Sequence, residues 1–117
     1  MTGILSSVGA FLAGTAVALG AFGAHGLRNR FKNTPELMKN WETAAQYQLV
    51  HGIAILTLSS LHVTSAAMTL TVGTILFCGS LYAYALTERR PMARGAPVGG
   101  ALLLLGWLWA AFALAVR

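Results

Sequence analysis

The sequence predicts an all-α fold: an integral membrane four-helix bundle that forms a single domain over residues 1–117. Composition is the first reason, because 56% of the residues are hydrophobic, only 9% are charged, and the mean hydropathy is +0.67. In soluble globular domains about 25% of the residues are charged. Eight basic and three acidic side chains are too few to cover a water-soluble protein of this size. Lipid is therefore the expected solvent over most of the surface.

Four long apolar stretches are the second reason, and they predict spans at about 4–26, 36–61, 66–86 and 97–116. A helix rises about 1.5 Å per residue, so about 20 residues cross the roughly 30 Å of hydrocarbon. Strands of membrane barrels are about ten residues long and alternate in polarity, which these stretches do not. Unpaired backbone groups are costly in lipid, so the spans are expected to be helices.

The first two spans differ at their beginnings. Residues 1–24 contain no Arg or Lys, so we expect a mature span there and not a cleaved signal or transit peptide. Thr34, Pro35 and Glu36 combine an N-cap residue, a proline at the first helical position and an acid in the first turn. This pattern predicts that the second helix begins before the membrane. Trp41 is then expected at the headgroups as an anchor.

The connections between spans carry the charge. Seven Arg and Lys residues fall in the first and third connections, which lie on one side because spans alternate in direction, against Arg117 alone on the other. The positive-inside rule predicts that this side is the cytoplasm, or the matrix in a mitochondrial inner membrane, with both termini opposite. The candidate contacts to anionic lipid, including cardiolipin, are Arg28, Arg30, Arg89, Arg90 and Arg94. Because the +5 net charge is clustered in this way, no nucleic-acid partner is expected.

Small residues recur at four-residue spacing within the spans, as in helices that pack closely in lipid. We expect them to pack the bundle internally, with an interface to another chain as the alternative. The predicted packing positions are Gly14, Gly20, Ala24, Gly79, Gly95 and Gly99.

The second span holds a polar stripe. At 100° per residue, Gln48, His51, Ser59 and His62 fall on one helix face, which predicts that they face the bundle interior. The candidate polar site is His25, Gln48, His51 and Ser59. Interhelical hydrogen bonding is the simpler interpretation, and a binding site is the functional one. We also expect His25 to approach His51, directly or through backbone carbonyls.

Catalytic and metal chemistry are not indicated. The sequence has no Asp, no acid inside a span, and no pair of histidines at i,i+4 spacing, so no catalytic residue, metal or cofactor is predicted. Cys78 is the single cysteine and cannot form an internal disulfide.

Several segments are similar to motifs of a known family. Gly20–Leu27, reading GAFGAHGL, resembles a signature at the end of that family's first span. Further resemblances are found at Trp41–Ala44 with Gln48 and His51, at Leu76–Tyr82, and at Pro97–Gly100 with Trp107. The family is domain of unknown function 423, which includes eukaryotic transmembrane protein 256. The resemblance implies four membrane helices in a bacterial or mitochondrial inner membrane, and no established activity.

The sequence thus predicts a non-enzymatic protein, an accessory or assembly subunit of a larger inner-membrane complex such as a respiratory one, with membrane lipids and other membrane subunits as partners. The alternative is a small carrier or binder of lipid, quinone or another amphiphile. A haem-binding membrane protein is the third interpretation.

Overall fold

The computed structural model describes residues 2–117 and confirms the all-α membrane bundle; position 1 of the predicted domain lies outside the described residues. Its helices are α1 (Thr2–His25), α2 (Pro35–Ser60), α3 (Thr64–Thr87) and α4 (Gly95–Ala115), with a short 3-10 helix at Arg90–Ala93. No strand occurs in this part of the chain. Three helical segments are long and apolar enough to cross a membrane, namely α1, α3 and the segment Arg90–Ala115 that contains α4.

The more polar α2 owes its composition to its place in the bundle. Along the chain each helix packs on the next, α1 and α3 touch only lightly, and α1 and α4 make no extensive contact. Helices α2 and α3 therefore form the middle of the bundle, with α1 packed on α2 and α4 packed on α3. Eleven residues of α2 are buried, against four of α1. Because α2 faces other helices more than lipid, it carries polar side chains that a lipid-facing helix excludes.

Helices α1 and α2, like α3 and α4, cross at points where only glycine fits. A Cβ added at Gly52 would lie 2.6 Å from the Ala13 backbone nitrogen and 2.8 Å from the Gly9 carbonyl oxygen. At Gly99 an added Cβ would lie 2.8 Å from the Gly73 carbonyl oxygen. Backbones this close give van der Waals contact along both helices, which is the main source of helix association in lipid.

The predicted packing positions divide into two groups. Gly99 and Gly95 face α3, where Gly95 adjoins the Ser80 hydroxyl, and a Cβ at Gly20 would make an ordinary 3.8 Å contact with Ala45. Gly14, Gly79 and Ala24 are exposed, and a Cβ added at either glycine would meet nothing within 4 Å. Internal packing is therefore wrong for these three positions. These three residues point away from the bundle, which leaves an interface to another chain as the alternative for them.

Trp41 is also placed differently from the prediction. It is 3% exposed, and its indole N–H donates to the Leu19 carbonyl at 2.8 Å. Its ring meets Tyr82 edge-on at 4.7 Å between centroids and lies against Gly23. The anchor role at the headgroups is wrong because Gly23 leaves room for the indole between α1 and α2. Trp41 instead joins a second core with Leu27 and Phe31, which closes the basic end of the bundle.

The tight turn between α2 and α3 depends on a left-handed residue. His62 has φ of 63°, its N–H donates to the Ser59 carbonyl at 3.0 Å, and the Val63 N–H donates to the Leu58 carbonyl at 2.9 Å. These two bonds form a Schellman motif, in which the left-handed position normally holds glycine.

We expect the substitution His62→Gly to stabilise the protein by about 1 kcal/mol, the approximate cost of a left-handed conformation for a residue with a Cβ. Thermal unfolding in detergent measures the change. The control is Leu61→Gly, one residue earlier at φ of −88°, which removes no strain and should lower stability. A His62→Gly protein no more stable than the parent would contradict this interpretation of the turn.

Candidate functional site

Gln48, the first residue of the polar stripe, connects three helices. Its side-chain amide donates to the Leu12 carbonyl at 2.9 Å and to the Thr15 hydroxyl at 2.7 Å, both on α1. Its carbonyl oxygen accepts a hydrogen bond from the Tyr82 hydroxyl on α3 at 2.8 Å. Gln48 is 5% exposed, so these bonds replace those that water would provide.

Ser59 has a similar role near the other end of α2. It is fully buried, donates to the Thr2 carbonyl at 2.8 Å and accepts from the Ser6 hydroxyl at 3.1 Å. Gln48 and Ser59 thus both bind α1 and fix its position against α2. The buried Thr74 hydroxyl on α3 has no hydrogen-bond partner within residues 2–117, and the structure suggests no reason for it.

His51 turns to the opposite neighbour, α4. Its Nδ1 lies 2.8 Å from the Tyr47 carbonyl oxygen, and its Nε2 lies 3.0 Å from the Trp107 indole nitrogen. An indole N–H only donates, so Nε2 accepts, and a neutral ring then carries its proton on Nδ1, facing the carbonyl. Both nitrogens are used within the bundle.

His25 does not join this site. It lies exposed in the last turn of α1, while the His51 ring nitrogens are directed to α2 and α4. The expected approach of His25 to His51 is therefore wrong. The two residues are on helices that pack together, but the α1 backbone beside Gly52, the residue after His51, is that of Gly9 and Ala13, more than three helical turns before His25.

Beside His51 a groove of about 560 Å³ opens between α2 and α4, with α3 as its floor. Aromatic rings form a continuous row along it: Phe77 lies 4.8 Å from Tyr47, Tyr47 stacks on His51 at 5.6 Å, and His51 meets Trp107 at 5.7 Å, measured between centroids. Gly100 has no side chain and so leaves the α4 wall of the groove open near Phe77. A Cβ added at Gly100 would lie 3.7 Å from the Phe77 ring. We call this the aromatic groove.

The aromatic groove has the size and lining of a small-molecule site. Ligand pockets measure about 300–1,000 Å³ and are mostly apolar with a few placed polar groups. The exposed polar groups here are those of Gln46 and Tyr47. Among residues 2–117 no group of three or more His, Cys, Asp or Glu side chains is placed to hold a metal ion. What the groove can do is bind a flat or chain-like apolar group.

The basic residues lie at the same end of the bundle as the start of α4. The Arg30 guanidinium donates to the Leu86 carbonyl at 2.5 Å, which fixes the first connection to the last turn of α3. Arg30 is itself exposed, as are the other four predicted lipid contacts, Arg28, Arg89, Arg90 and Arg94. Arg30 therefore holds the first connection in place through this hydrogen bond, in addition to contributing positive charge.

Sequence reasoning missed most of the aromatic groove. Phe77, Gly100 and Tyr47 line it, yet none was a candidate, because an aromatic residue in a membrane span usually faces lipid or core. Trp107 belongs to the segments that resemble the family, and that resemblance predicts no role in binding. The sequence does contain a donor that can pair with His51, the indole N–H of Trp107. A single sequence does not show, however, which helix packs beside His51.

Comparison with known proteins gives consistent matches over most of the chain. The family model described as "Protein of unknown function (DUF423)" matches residues 19–100. A UPF0382 membrane protein of Staphylococcus epidermidis is 40% identical over 107 residues, 86% of each chain. The UPF0382 membrane protein YwdK of Bacillus subtilis is 32% identical over 113 residues, 90% of this chain and 88% of the relative. No solved structure matches the chain.

Proposed function

The chain belongs to the DUF423 family of membrane proteins, and from this premise we propose that it binds the hydrophobic tail of an amphiphile in the aromatic groove, without catalysing a reaction. The observation that carries the proposal is the groove itself, which opens sideways between α2 and α4. Its rim residues are exposed in the chain: Val50 by 55%, Leu104 by 62% and Trp107 by 43%. In a membrane these side chains meet lipid, so the occupant enters from the bilayer.

The depth of the groove fits the tail of a lipid or an isoprenoid chain. Its α4 wall extends from Gly100, five residues inside the helix, to Trp107, twelve residues inside. At about 1.5 Å per residue these positions lie roughly 8 and 18 Å from the basic end of α4. Half of a hydrocarbon core is about 15 Å thick. The groove would therefore occupy the deeper part of the leaflet on the basic side and reach the middle of the bilayer.

The polar groups support binding at a fixed depth. Both His51 nitrogens are already hydrogen-bonded, to the Tyr47 carbonyl and to the Trp107 indole. The part of the groove around His51 therefore offers an occupant chiefly aromatic faces and methyl groups. Gln46 and the Tyr47 ring lie at the end of the groove nearer the basic side of the bundle, where the carbonyl groups of an amphiphile would meet them. Flat aromatic walls with a few polar groups at one end favour a chain or ring over a bulky solute.

Filling the groove tests the proposal. We expect Gly100→Leu to reduce at least fivefold the amphiphile that co-purifies in mild detergent, quantified by mass spectrometry of organic extracts. The matched control is Gly79→Leu, since Gly79 is also in a membrane helix and a Cβ there meets nothing. Equal retention by both variants, each with parental thermal stability, would contradict binding in this groove.

An accessory-subunit role is the second candidate, and one observation favours it. Gly14, Ala24 and Gly79 leave small-residue surface that no helix of the chain covers. Co-purification of a defined set of membrane proteins, lost on Gly14→Leu but not on Gly100→Leu, would support that role.

We propose a location that the relatives and the charge asymmetry both support. Staphylococcus epidermidis and Bacillus subtilis are bacteria, which favours a bacterial cytoplasmic membrane with the basic connections in the cytoplasm. A mitochondrial location stays a prediction.

A further inference from the structure

The connection between α3 and α4 forms a basic recess that the aromatic groove does not use. Arg90, Arg94, Ala93 and Tyr84 line a cavity of about 420 Å³ at the basic end of the bundle. Both arginines are exposed, and Tyr84 is half-buried. We call this the arginine recess.

The local backbone holds the two arginines together. Glu88, with φ of 57°, ends α3 and turns the chain, and the 3-10 helix Arg90–Ala93 follows at once. The Met92 N–H donates to the Arg89 carbonyl at 2.9 Å, and the Arg94 N–H donates to the Pro91 carbonyl at 3.2 Å. This compact turn places Arg90 and Arg94 on the same recess, although they are separated by three residues.

The surrounding charges leave the recess positive. Arg30 from the first connection is directed to the Leu86 carbonyl, which compensates the negative end of the α3 dipole. Glu36 and Glu88 line a separate cavity with Asn33 and Pro35, and Tyr84 is the one residue that lines both cavities. No carboxylate lines the arginine recess within the described residues.

We propose that Arg90, Arg94 and the Tyr84 side chain bind the phosphate of an anionic membrane lipid. A guanidinium presents a planar fork of N–H donors that matches phosphate oxygens bidentately, so two arginines on one cavity can hold one phosphate from two sides. The recess lies where α3 leaves and α4 enters the membrane, at the depth of lipid headgroups. A lipid is the chosen source because exposed apolar Met92 adjoins the turn and α4 continues directly into hydrocarbon.

Arg90 and Arg94, and not the total positive charge, make the site. An anionic membrane surface attracts every nearby basic residue to a similar extent, so this diffuse attraction depends on net charge alone. Arg28 and Lys32 in the first connection are exposed and contribute the same charge without lining the recess. They provide a charge-matched control.

Native mass spectrometry of the full chain in mild detergent, titrated with phosphatidylglycerol and with phosphatidylcholine, tests the proposal. We expect Arg90→Gln with Arg94→Gln to weaken phosphatidylglycerol binding at least tenfold, and Arg28→Gln with Lys32→Gln by less than twofold. The charge-preserving pair Arg90→Lys with Arg94→Lys should weaken binding about threefold, because lysine lacks the fork. Equal losses in the two glutamine pairs would overturn the proposal in favour of diffuse attraction.

Competition with soluble phosphates distinguishes binding of a lipid phosphate from binding of a free one. Inorganic phosphate or glycerol phosphate at millimolar concentration should not displace the lipid, and full displacement would overturn the lipid assignment. Tyr84→Phe, a conservative change, should weaken phosphatidylglycerol binding about twofold, which keeps the proposal testable if either arginine pair fails to fold. Gly100→Leu should leave this binding unchanged, so the arginine recess and the aromatic groove can fail independently.

Discussion

Replacing Gly52 with alanine is expected to lower the free energy of unfolding by about 3 kcal/mol, at the upper end of the range for overpacked cores. The added methyl would lie 2.6 Å from the Ala13 nitrogen and 2.8 Å from the Gly9 carbonyl oxygen. Both are backbone atoms of α1, which has no rotamer to change. The two helices must therefore separate along their length. Unfolding in SDS, followed by circular dichroism, measures the loss.

The control variant, Gly14→Ala, is expected not to lower the free energy of unfolding. Gly14→Ala adds the same methyl to the outer face of α1, where nothing lies within 4 Å. Alanine is a better helix former than glycine by up to about 1 kcal/mol, so Gly14→Ala should be neutral or stabilising. If both variants lost stability equally, the close crossing of α1 and α2 at Gly52 would be wrong.

Removing the Gln48 amide is expected to be the second large effect. Gln48→Leu keeps the volume but deletes three hydrogen bonds, two to α1 and one from the Tyr82 hydroxyl. Interhelical hydrogen bonds in membrane proteins contribute about 0.6 kcal/mol on average and up to about 1.7. The Tyr82 hydroxyl also loses its partner in a half-buried position. We expect a total loss of about 2 kcal/mol, measured by the same SDS titration.

Two further variants show whether this loss comes from the network. Gln46→Leu changes the same residue type on the exposed side of α2 and should alter stability by less than about 0.5 kcal/mol. Tyr82→Phe should be less costly in a Gln48→Leu background than alone, because their shared bond is already lost. Strict additivity of the two substitutions would contradict the bond between Gln48 and Tyr82.

The helices were predictable because each follows from local chemistry. Pro35 fixes a helical φ and has no N–H to leave unpaired, so α2 begins at that residue in both the prediction and the structure. The charge-free stretches similarly coincide with the observed helices α1, α3 and α4. The composition that made lipid the expected solvent is also why three of these segments are apolar enough to span a membrane.

The features that the sequence did not predict depend on which helices are neighbours. Gln48 and His51 lie about 60° apart on α2, close enough to be taken as one stripe, yet they reach α1 and α4 respectively. Gly14 and Gly52 are equally small, and only the place of α1 decides which one lies in a helix contact. Trp41 can reach headgroups or core from the same backbone, and Gly23 on another helix selects the core. These outcomes need the tertiary arrangement, which a single sequence does not contain.

Crosslinking from the floor of the aromatic groove tests amphiphile binding there most directly. A photoreactive phenylalanine analogue placed at Phe77 in native membranes, with one at Phe112 as a lipid-exposed control, identifies what each position meets. We predict that Phe77 yields adducts enriched in one class of amphiphile, while Phe112 yields the lipid mixture of the bulk membrane. The same bulk mixture at both positions, or a protein adduct at Phe77, would contradict amphiphile binding in the groove.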